Sequence, residues 1–164
     1  MVKNKCGYEL IEFIRCEEQD INKYENITSA GVVFEVDGKY LIGWNSWRKQ
    51  WELAVGGIEK GETPREAATR ELFEETHQEV DYLEFRGLFK KTRPTGEIVY
   101  TAIYYTIKDK ISEFIKNDLD ENDKIMLWDL KENIGYVDEI DTEIIKILQK
   151  YIITKKASSW KSNK

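Results

Sequence analysis

The sequence predicts an α/β (α+β) protein in which helices pack on a mixed β-sheet. Two observations carry this prediction: β-prone segments recur as hairpin-like pairs, and two helical segments are separated from each other by those strands. The chain has 164 residues, enough for one domain with a real core but not comfortably for two. We therefore expect a single domain over residues 1–154 and a flexible C-terminal tail over residues 155–164.

The clearest early element is a hairpin centred on Asp37 and Gly38. Apolar, β-branched segments flank this dipeptide, which is a strong signal for a two-residue hairpin turn. Residues 32–36 and 39–44 are therefore predicted to be paired antiparallel strands. Upstream, residues 8–16 mix strand-like alternation with charges, and we expect an edge strand there.

A helix is predicted to begin directly after Thr63. Thr63 is a good N-cap, Pro64 suits the first helical position, and Glu66 completes a capping box. An apolar stripe follows along one side of the segment. The helix should end at about Thr76 or His77.

Further strands and a second helix follow the first helix. Residues 82–90 and 98–108 are strand candidates joined by a turn, and the second is expected to be central because it is strongly β-prone. Residues 112–123 are polar and acidic, which indicates a loop with or without a short helix. Residues 125–130 form the last predicted strand, and Asp141 is expected to cap an amphipathic helix.

Composition and charge argue against several classes of function. The formal net charge is −6, from 31 acidic and 25 basic residues, which disfavours a broad nucleic-acid surface. No apolar run approaches the length of a membrane span, and the first residues lack the apolar stretch of a signal peptide. Cys6 and Cys16 are too few for a disulfide framework. We expect a cytoplasmic protein without a membrane partner, and a homodimer through exposed strand edges stays open.

Four glutamates surround the first predicted helix with little to neutralise them. Glu71, Glu74 and Glu75 are spaced i, i+3 and i+4, so they share one helix face, and Glu62 lies where the chain enters the helix. Like charges at this spacing repel each other by a few tenths of a kcal/mol per pair. A hard cation relieves that repulsion, and oxygen-only ligands select Mg²⁺, Mn²⁺ or Ca²⁺. A solvated acidic helix face is the alternative.

The spacing of these residues follows the pattern G-x5-E-x7-R-E-U-x-E-E, where U is a bulky aliphatic residue. The matching residues are Gly56, Glu62, Arg70, Glu71, Leu72, Glu74 and Glu75. This pattern resembles the signature box of the Nudix (MutT-like) hydrolases. The order of elements resembles that family over about residues 27–152, which we take as the core. The resemblance implies a Nudix-like α/β/α sandwich whose mixed sheet contains β-hairpins, with a box helix and a C-terminal helix.

The resemblance also implies a chemistry and roles for the box residues. The reaction would be the Mg²⁺-dependent cleavage of a phosphoanhydride bond in a small-molecule nucleotide, with Mn²⁺ as a substitute for Mg²⁺. The implied metal ligands are the carbonyl of Val55 and the carboxylates of Glu71, Glu74 and Glu75. Glu71 or Glu62 would lie close to the attacking water. Arg70 would pair with a box glutamate and hold it in its working rotamer.

Two positions at the end of the box depart from the family's pattern. Relatives usually have a glycine and then an aliphatic residue where this chain has His77 and Gln78. That glycine adopts a left-handed conformation past the helix end, and histidine is among the less reluctant substitutes. We expect some loss of stability with metal binding kept, and we expect His77 near the surface rather than as a metal ligand.

The loop before the box also differs, since Ala54 and Val55 stand where many relatives have Pro-Gly. This loop looks like that of members that cleave nucleoside-diphosphate sugars, and also like isopentenyl-diphosphate-isomerase-like members. A true isomerase uses an active-site cysteine. Cys6 and Cys16 precede the first core hairpin and do not match that position, so an isomerase is disfavoured.

Residues outside the box supply candidate substrate contacts and one more carboxylate. Trp47 lies in a polar run between the hairpin and the box, where stacking on a nucleobase and packing are about equally expected. The candidates for phosphate contacts are Arg48, Lys91 and Arg93, and a solvated loop explains the latter two equally well. The candidates for a further catalytic carboxylate are Glu97, Asp120, Glu121 and Asp123, of which we choose Glu121.

We therefore predict a Mg²⁺-dependent hydrolase that acts on a nucleoside diphosphate linked to another group, such as a nucleotide sugar. The alternative within the enzymes is a pyrophosphohydrolase of nucleoside triphosphates, including oxidised ones, or of RNA 5′ ends. The alternative from another class is a non-catalytic nucleotide-binding module. The loss of box carboxylates would favour that module, and none is missing.

Overall fold

A computed structural model describes the backbone of residues 1–162 and the side chains up to Tyr151. Over this range the chain forms nine strands, one 3₁₀ helix and two α-helices. In chain order these are β1 (Val2–Lys3), β2 (Glu9–Ile14), the 3₁₀ helix (Glu18–Lys23), β3 (Ile27–Val36), β4 (Lys39–Asn45), β5 (Gln50–Glu52), β6 (Ala54–Gly57), α1 (Pro64–Thr76), β7 (Glu84–Thr92), β8 (Ile98–Ile107), β9 (Asn122–Trp128) and α2 (Glu139–Ser162). None of the helices in this range is long and apolar enough to cross a membrane.

Strand β3 organises the sheet because it pairs along both of its edges. On one edge it lies parallel to β8, and on the other it pairs antiparallel with β6 at its start and with β4 at its end. The strand order is β1-β2-β7-β8-β3-β4-β5, with β9 paired to β4. The predicted mixed sheet is confirmed, and β8 is central, as its β-prone sequence indicated.

Both faces of the sheet are covered by a helix. Val32 and Phe34 of β3 are buried in one cluster with Leu72 of α1, whereas Val33 is buried in a second cluster with Ile144 of α2. This division follows from the alternation of side chains along a strand. The predicted α/β/α arrangement is confirmed, with the box helix on one face and the C-terminal helix on the other.

The predicted hairpin is present, and its turn explains how the strand before the box is placed. Asp37 and Gly38 both have positive φ, 51° and 78°, as a two-residue hairpin turn requires. The two strands pair only next to the turn and then separate, so β6 pairs with the first half of β3. Gly31 permits this approach, because a Cβ there would fall 2.3 Å from Cγ2 of Val55.

Several element predictions need correction. The strand predicted at the sheet edge, β2, lies between β1 and β7. Residues 112–121 form the predicted loop without a helix, but β9 begins at Asn122, three residues before the predicted strand. Strands β5 and β6 were not predicted, because β5 has only three residues and β6 pairs with β3, which is distant in sequence.

The start of the C-terminal helix also differs from the prediction. Helix α2 begins at Glu139, and its cap is Asp138 instead of Asp141. Oδ1 of Asp138 accepts the backbone N–H groups of Ile140 and Asp141, at 2.9 and 3.0 Å. The backbone of the predicted tail, residues 155–164, continues this helix to Ser162, and the last two residues lie outside the described range.

Candidate active site

Helix α1 is held at both ends in the way that its sequence predicts. Oγ1 of Thr63 accepts the N–H of Glu66 at 3.1 Å, and Pro64 is the first helical residue. The helix ends at Thr76, and His77 follows in the left-handed conformation, with φ of 59°. The side chains along α1 therefore project from a helix with well-defined ends.

A pocket of about 870 Å³ lies between α1, β6 and the irregular segment before β9. One wall carries the box glutamates, and the opposite wall is formed by residues 117–121. The pocket is lined by Arg48, Val55, Gly56, Gly57, Glu71, Phe73, Glu74, Glu75, His77, Asn117, Leu119, Asp120 and Glu121. A second cavity, of about 910 Å³, lies between the N-terminal segment and α2 and contains no box residue.

Arg70 is the centre of the ion pairs beside this pocket. Its guanidinium donates to both carboxylate oxygens of Glu62, at 2.8 and 2.9 Å. It also donates to Glu71 at 2.7 Å, to Glu74 at 3.1 Å and to the carbonyl of Gly57 at 2.8 Å. Arg70 thus ties three box carboxylates and strand β6 together, and the pairing with a box glutamate is as the resemblance implies.

Glu62 is engaged with Arg70 instead of facing the pocket. Its two oxygens accept from Arg70, and Oε1 also accepts the N–H of Glu59 at 3.0 Å. The hydrogen bonds from Arg70 and from that backbone N–H lower the pKa of Glu62 to about 2. Glu62 is therefore an ionised anchor for Arg70, an arrangement unlike that of a base beside the attacking water.

Glu71 is nearly buried, with 9% of its surface exposed, and its carboxylate packs against Gly56. A Cβ at position 56 would fall 2.1 Å from Cδ of Glu71 and 2.3 Å from each of its oxygens. Burial raises the pKa of Glu71 above its ordinary value, and the hydrogen bond from Arg70 opposes that rise. The box glycine is therefore required by the close approach of this carboxylate.

Glu75 is the least compensated carboxylate of the box. Burial raises its pKa well above the ordinary value, and the nearby charges of Glu71, Glu52, Asp141 and Glu121 raise it further. Among the side chains that the structure describes, no Lys, Arg or His lies within 4.0 Å of its carboxylate. The pocket thus contains a desolvated carboxylate whose negative charge lacks a protein counter-cation.

Two further acidic residues face the box from the opposite wall of the pocket. Glu121 lies close enough for its charge to raise the pKa of both Glu71 and Glu75. Its neighbour Asp120 accepts a hydrogen bond from the backbone N–H of Asn117 at 2.8 Å. Of the four carboxylates considered from sequence, Asp120 and Glu121 line the pocket. Glu97 instead pairs with Arg93, and Asp123 pairs with Lys116.

The donor set around the pocket suits a hard divalent cation, because it consists of carboxylates and backbone carbonyls. Gly56 leaves room for the Glu71 carboxylate, and Glu75 has a charge that is not balanced. Within the described part of the chain, however, no three Asp, Glu, His or Cys side chains converge tightly enough to hold a metal ion. The reason is visible in the ion pairs, since Arg70 holds Glu71 and Glu74.

Only some of the residues predicted to contact substrate line the pocket. Arg48 lines the pocket and pairs with Glu52 at 2.9 Å. Trp47 is 78% exposed and is not part of the pocket wall. Arg93 pairs with Glu97 at 3.4 Å. The structure therefore brings one of the three predicted cations to the box.

Lys91 lies within strand β7, so neither the pocket wall nor the solvated loop, the two alternatives from sequence, describes its environment. Its amino group is 5.6 Å from the centre of the Tyr8 ring. Burial lowers the pKa of Lys91, whereas Asp141 and Asp138 act to raise it. Sequence patterns did not indicate that Lys91 lies near Asp138 and Asp141. Asp141 was taken as a helix cap, but its Oδ2 accepts the N–H of Leu53 at 2.9 Å and its charge acts on Glu75.

Comparisons with known proteins agree with this geometry. A family model described as the NUDIX domain matches residues 26–150. A MutT-like protein from Streptomyces ambofaciens is 31% identical over 104 residues, which are 54% of this chain and 68% of that protein. An RNA pyrophosphohydrolase from Cereibacter sphaeroides is 54% identical over 35 residues, which are 21% of this chain and 22% of that protein.

Among solved structures, the chain is similar to the Bacillus subtilis pyrophosphohydrolase BsRppH. The two superpose with a TM-score of 0.69 over 97% of each chain, at 19% sequence identity. At that level of identity the similarity shows the fold alone. It extends over the N-terminal strands and the C-terminal helix as well as the box.

Proposed function

We propose that this chain, which belongs to the NUDIX family of hydrolases, uses Mg²⁺ to cleave the phosphoanhydride bond of a nucleoside diphosphate linked to a second group. The observation that carries the proposal is the charge of the pocket. Five carboxylates line it, Glu71, Glu74, Glu75, Asp120 and Glu121, against one guanidinium, that of Arg48. A phosphate substrate enters such a pocket only together with cations.

The metal would be held by carboxylates on one face of α1. Glu71, Glu74 and Glu75 would hold the ion together with the carbonyl of Val55, and Glu75 has no Lys, Arg or His partner among the described side chains. Bound Mg²⁺ supplies charge neutralisation on the phosphates and lowers the pKa of a bound water. Mn²⁺ has the same preference for oxygen ligands and is expected to substitute for it.

Residues around the metal-binding carboxylates of α1 would carry out the other parts of the reaction. Glu62 anchors Arg70, so that Arg70 limits the positions available to Glu71 and Glu74. Glu121 would accept a proton from the attacking water, a role supported by its position on the opposite wall of the pocket from Glu71 and Glu75. Arg48 would contact the phosphate that leaves with the second group, which its position in the pocket wall supports.

The pocket wall has one positively charged side chain, Arg48, which favours a substrate with two phosphates over one with three. A nucleoside triphosphate brings about two more negative charges than a diphosphate ester, and each needs a counter-charge in a site that is already acidic. Lys91 and Arg93, the other predicted phosphate contacts, lie outside the pocket wall. Arg48 alone therefore suits a diphosphate-linked nucleoside better.

A second candidate is pyrophosphohydrolysis of a nucleoside triphosphate or of an RNA 5′ end. The observation in its favour is the 54% identity over 35 residues to an RNA pyrophosphohydrolase. The fold of BsRppH, which is similar along the whole chain, is compatible with it. In this case a further metal ion would supply the counter-charge that the pocket lacks.

A product assay separates the two candidates. The purified chain is incubated with Mg²⁺ and, in separate reactions, with ADP-ribose, ATP and a 5′-triphosphorylated RNA oligonucleotide. The leading proposal predicts AMP and ribose 5-phosphate from ADP-ribose as the fastest reaction. Pyrophosphate released faster from ATP or RNA would favour the second candidate. The absence of any metal-dependent product from all three would contradict both.

A further inference from the structure

The irregular segment between β8 and β9, residues 108–121, forms one wall of the active-site pocket. Its Asn117, Leu119, Asp120 and Glu121 line the cavity opposite the box glutamates. The segment contains no helix or strand. Connections of this length without secondary structure are usually functional in compact domains. The contacts that hold this segment therefore bear on what the pocket accepts.

Gln78 ties the start of the segment to the end of α1. Its side chain is buried, with 2% of the residue exposed. Nε2 donates to the carbonyl of Ser112 at 2.8 Å, and Oε1 accepts the N–H of the same residue at 2.7 Å. Nε2 also donates to the carbonyl of Thr76 at 3.0 Å. The amide thus joins the helix end to Ser112 by a pair of hydrogen bonds.

His77 holds the C-terminal part of the segment against the end of α1. Its Nε2 lies 3.1 Å from Oδ1 of Asp120, and its ring centre lies 4.4 Å from that of Phe114. Its backbone is left-handed, a conformation that glycine adopts at lower cost. The glycine and aliphatic residue usual at these two positions of the box could make neither contact. Both departures from the box pattern therefore serve the same segment.

We propose that His77 and Gln78 are positioning residues that hold the segment of residues 108–121 as the wall of the pocket that receives the nucleobase. Leu119 is 94% exposed and Phe73 is 49% exposed, and both line the pocket, where the Phe73 ring centre lies 6.0 Å from that of His77. Together they form an apolar surface next to the carboxylates. A flat nucleobase fits such a surface, whereas phosphates do not. The inference rests on the proposed function in so far as it takes the substrate to be a nucleotide.

Three variants remove the contacts without opening the core. His77→Gly removes the imidazole and also relieves the positive φ, so it is expected to fold at least as well as the parent. Gln78→Met keeps most of the buried volume and loses both hydrogen bonds to Ser112. His77→Asn tolerates the left-handed backbone but is too short to make the imidazole contact with Asp120, so it separates the contact from the strain. Glu113→Gln is the control, because it changes an exposed charge in the same segment.

The first readout is limited proteolysis with trypsin, which reports directly on whether the segment is held. Lys110 and Lys116 are exposed lysines within it. Cleavage after these residues, followed by mass spectrometry, should be slow in the parent and in Glu113→Gln. It should be faster by about tenfold in His77→Gly, His77→Asn and Gln78→Met, because cleavage follows the population in which the segment is detached. Unchanged cleavage in these three variants would overturn the proposal.

The second readout is the division between KM and kcat for ADP-ribose, with the 5′-triphosphorylated RNA oligonucleotide measured in parallel. A loosened wall should raise KM by about threefold to tenfold and change kcat by less than about twofold, since the metal-binding carboxylates of α1 are untouched. A fall in kcat at constant KM, or no kinetic change in a variant that trypsin cleaves faster, would overturn the role in substrate binding. If the parent turns over neither substrate, the proposed function fails, and the proteolysis result still decides whether the segment is held.

Discussion

Glu62 and Glu75, thirteen positions apart in the box, have opposite pKa shifts because they differ in burial and in hydrogen-bond partners. Glu62 receives two hydrogen bonds from Arg70, and its pKa falls to about 2. Glu75 is desolvated among other carboxylates, and its pKa rises well above the ordinary value. The spacing in the sequence predicted which glutamates share the helix face. It did not predict this difference, because that depends first on burial in the folded protein and then on nearby charges, including those of Glu52 and Asp141, which are distant along the chain.

The raised pKa of Glu75 predicts how stability depends on pH when no divalent metal is present. A folded state with a raised carboxyl pKa binds its proton more tightly than the unfolded state, so stability falls as pH rises from the unfolded pKa through the folded one. Glu75→Gln should therefore raise the Tm in EDTA at pH 8 by about 2–4 °C, which corresponds to ~1 kcal/mol in a domain of this size. The difference should vanish near pH 4. A parent that is more stable than the variant at pH 8 would contradict this assignment.

The close approach of Gly56 to Glu71 predicts a large effect from one methyl group. Gly56→Ala places a Cβ 2.1 Å from Cδ of Glu71, so the carboxylate must move away from the pocket. We expect kcat/KM to fall by at least about tenfold. Gly57→Ala is the matched control, because an added Cβ there meets no atom within 4 Å, and its loss should be much smaller. Equal losses in the two variants would argue against the role of Gly56 in leaving room for the Glu71 carboxylate.

At the level of single elements, local signals were sufficient where the contacts are local. The hairpin at Asp37 and Gly38 and the helix after Thr63 follow from turn and capping residues and were predicted correctly. Strand β6 was missed because it pairs with β3, which is distant in sequence. Strand β5 pairs with its neighbour β4 but has only three residues, too few for a clear periodic pattern. The start of α2 was misplaced because Asp138 and Asp141 are equally good caps in sequence. In the structure Asp138 accepts the first N–H groups of the helix, whereas Asp141 accepts the backbone N–H of Leu53.

The hairpin turn offers a test of element stability that is independent of the active site. Gly38 has φ of 78°, and an added Cβ would meet nothing within 4 Å, so Gly38→Ala introduces backbone strain alone. We expect a loss of about 1–2 kcal/mol in the free energy of unfolding by urea, with an unchanged m-value. Gly38→Asn should lose less, because asparagine tolerates the left-handed conformation. An equal loss in both variants would mean that the strain is not the cause.

At the scale of the whole molecule, the site exists only because the sheet brings distant segments together. Arg48 follows β4, the box glutamates lie on α1, and Glu121 precedes β9. The box pattern identified one wall of the pocket from sequence. The opposite wall was identified only in part, through Glu121, since residues 117–120 match no motif. The placement of Lys91 beside Asp141 required the tertiary structure.

The uncompensated carboxylates of α1 are proposed to bind a divalent cation for hydrolysis. A Mg²⁺ titration of ADP-ribose turnover tests this most directly. The parent should show no turnover in EDTA and a saturable dependence on Mg²⁺. Glu75→Gln should lose at least about 100-fold in kcat at saturating Mg²⁺, and the exposed control Glu79→Gln should match the parent. Turnover that persists in EDTA, or a Glu75→Gln variant as active as the parent, would contradict the account.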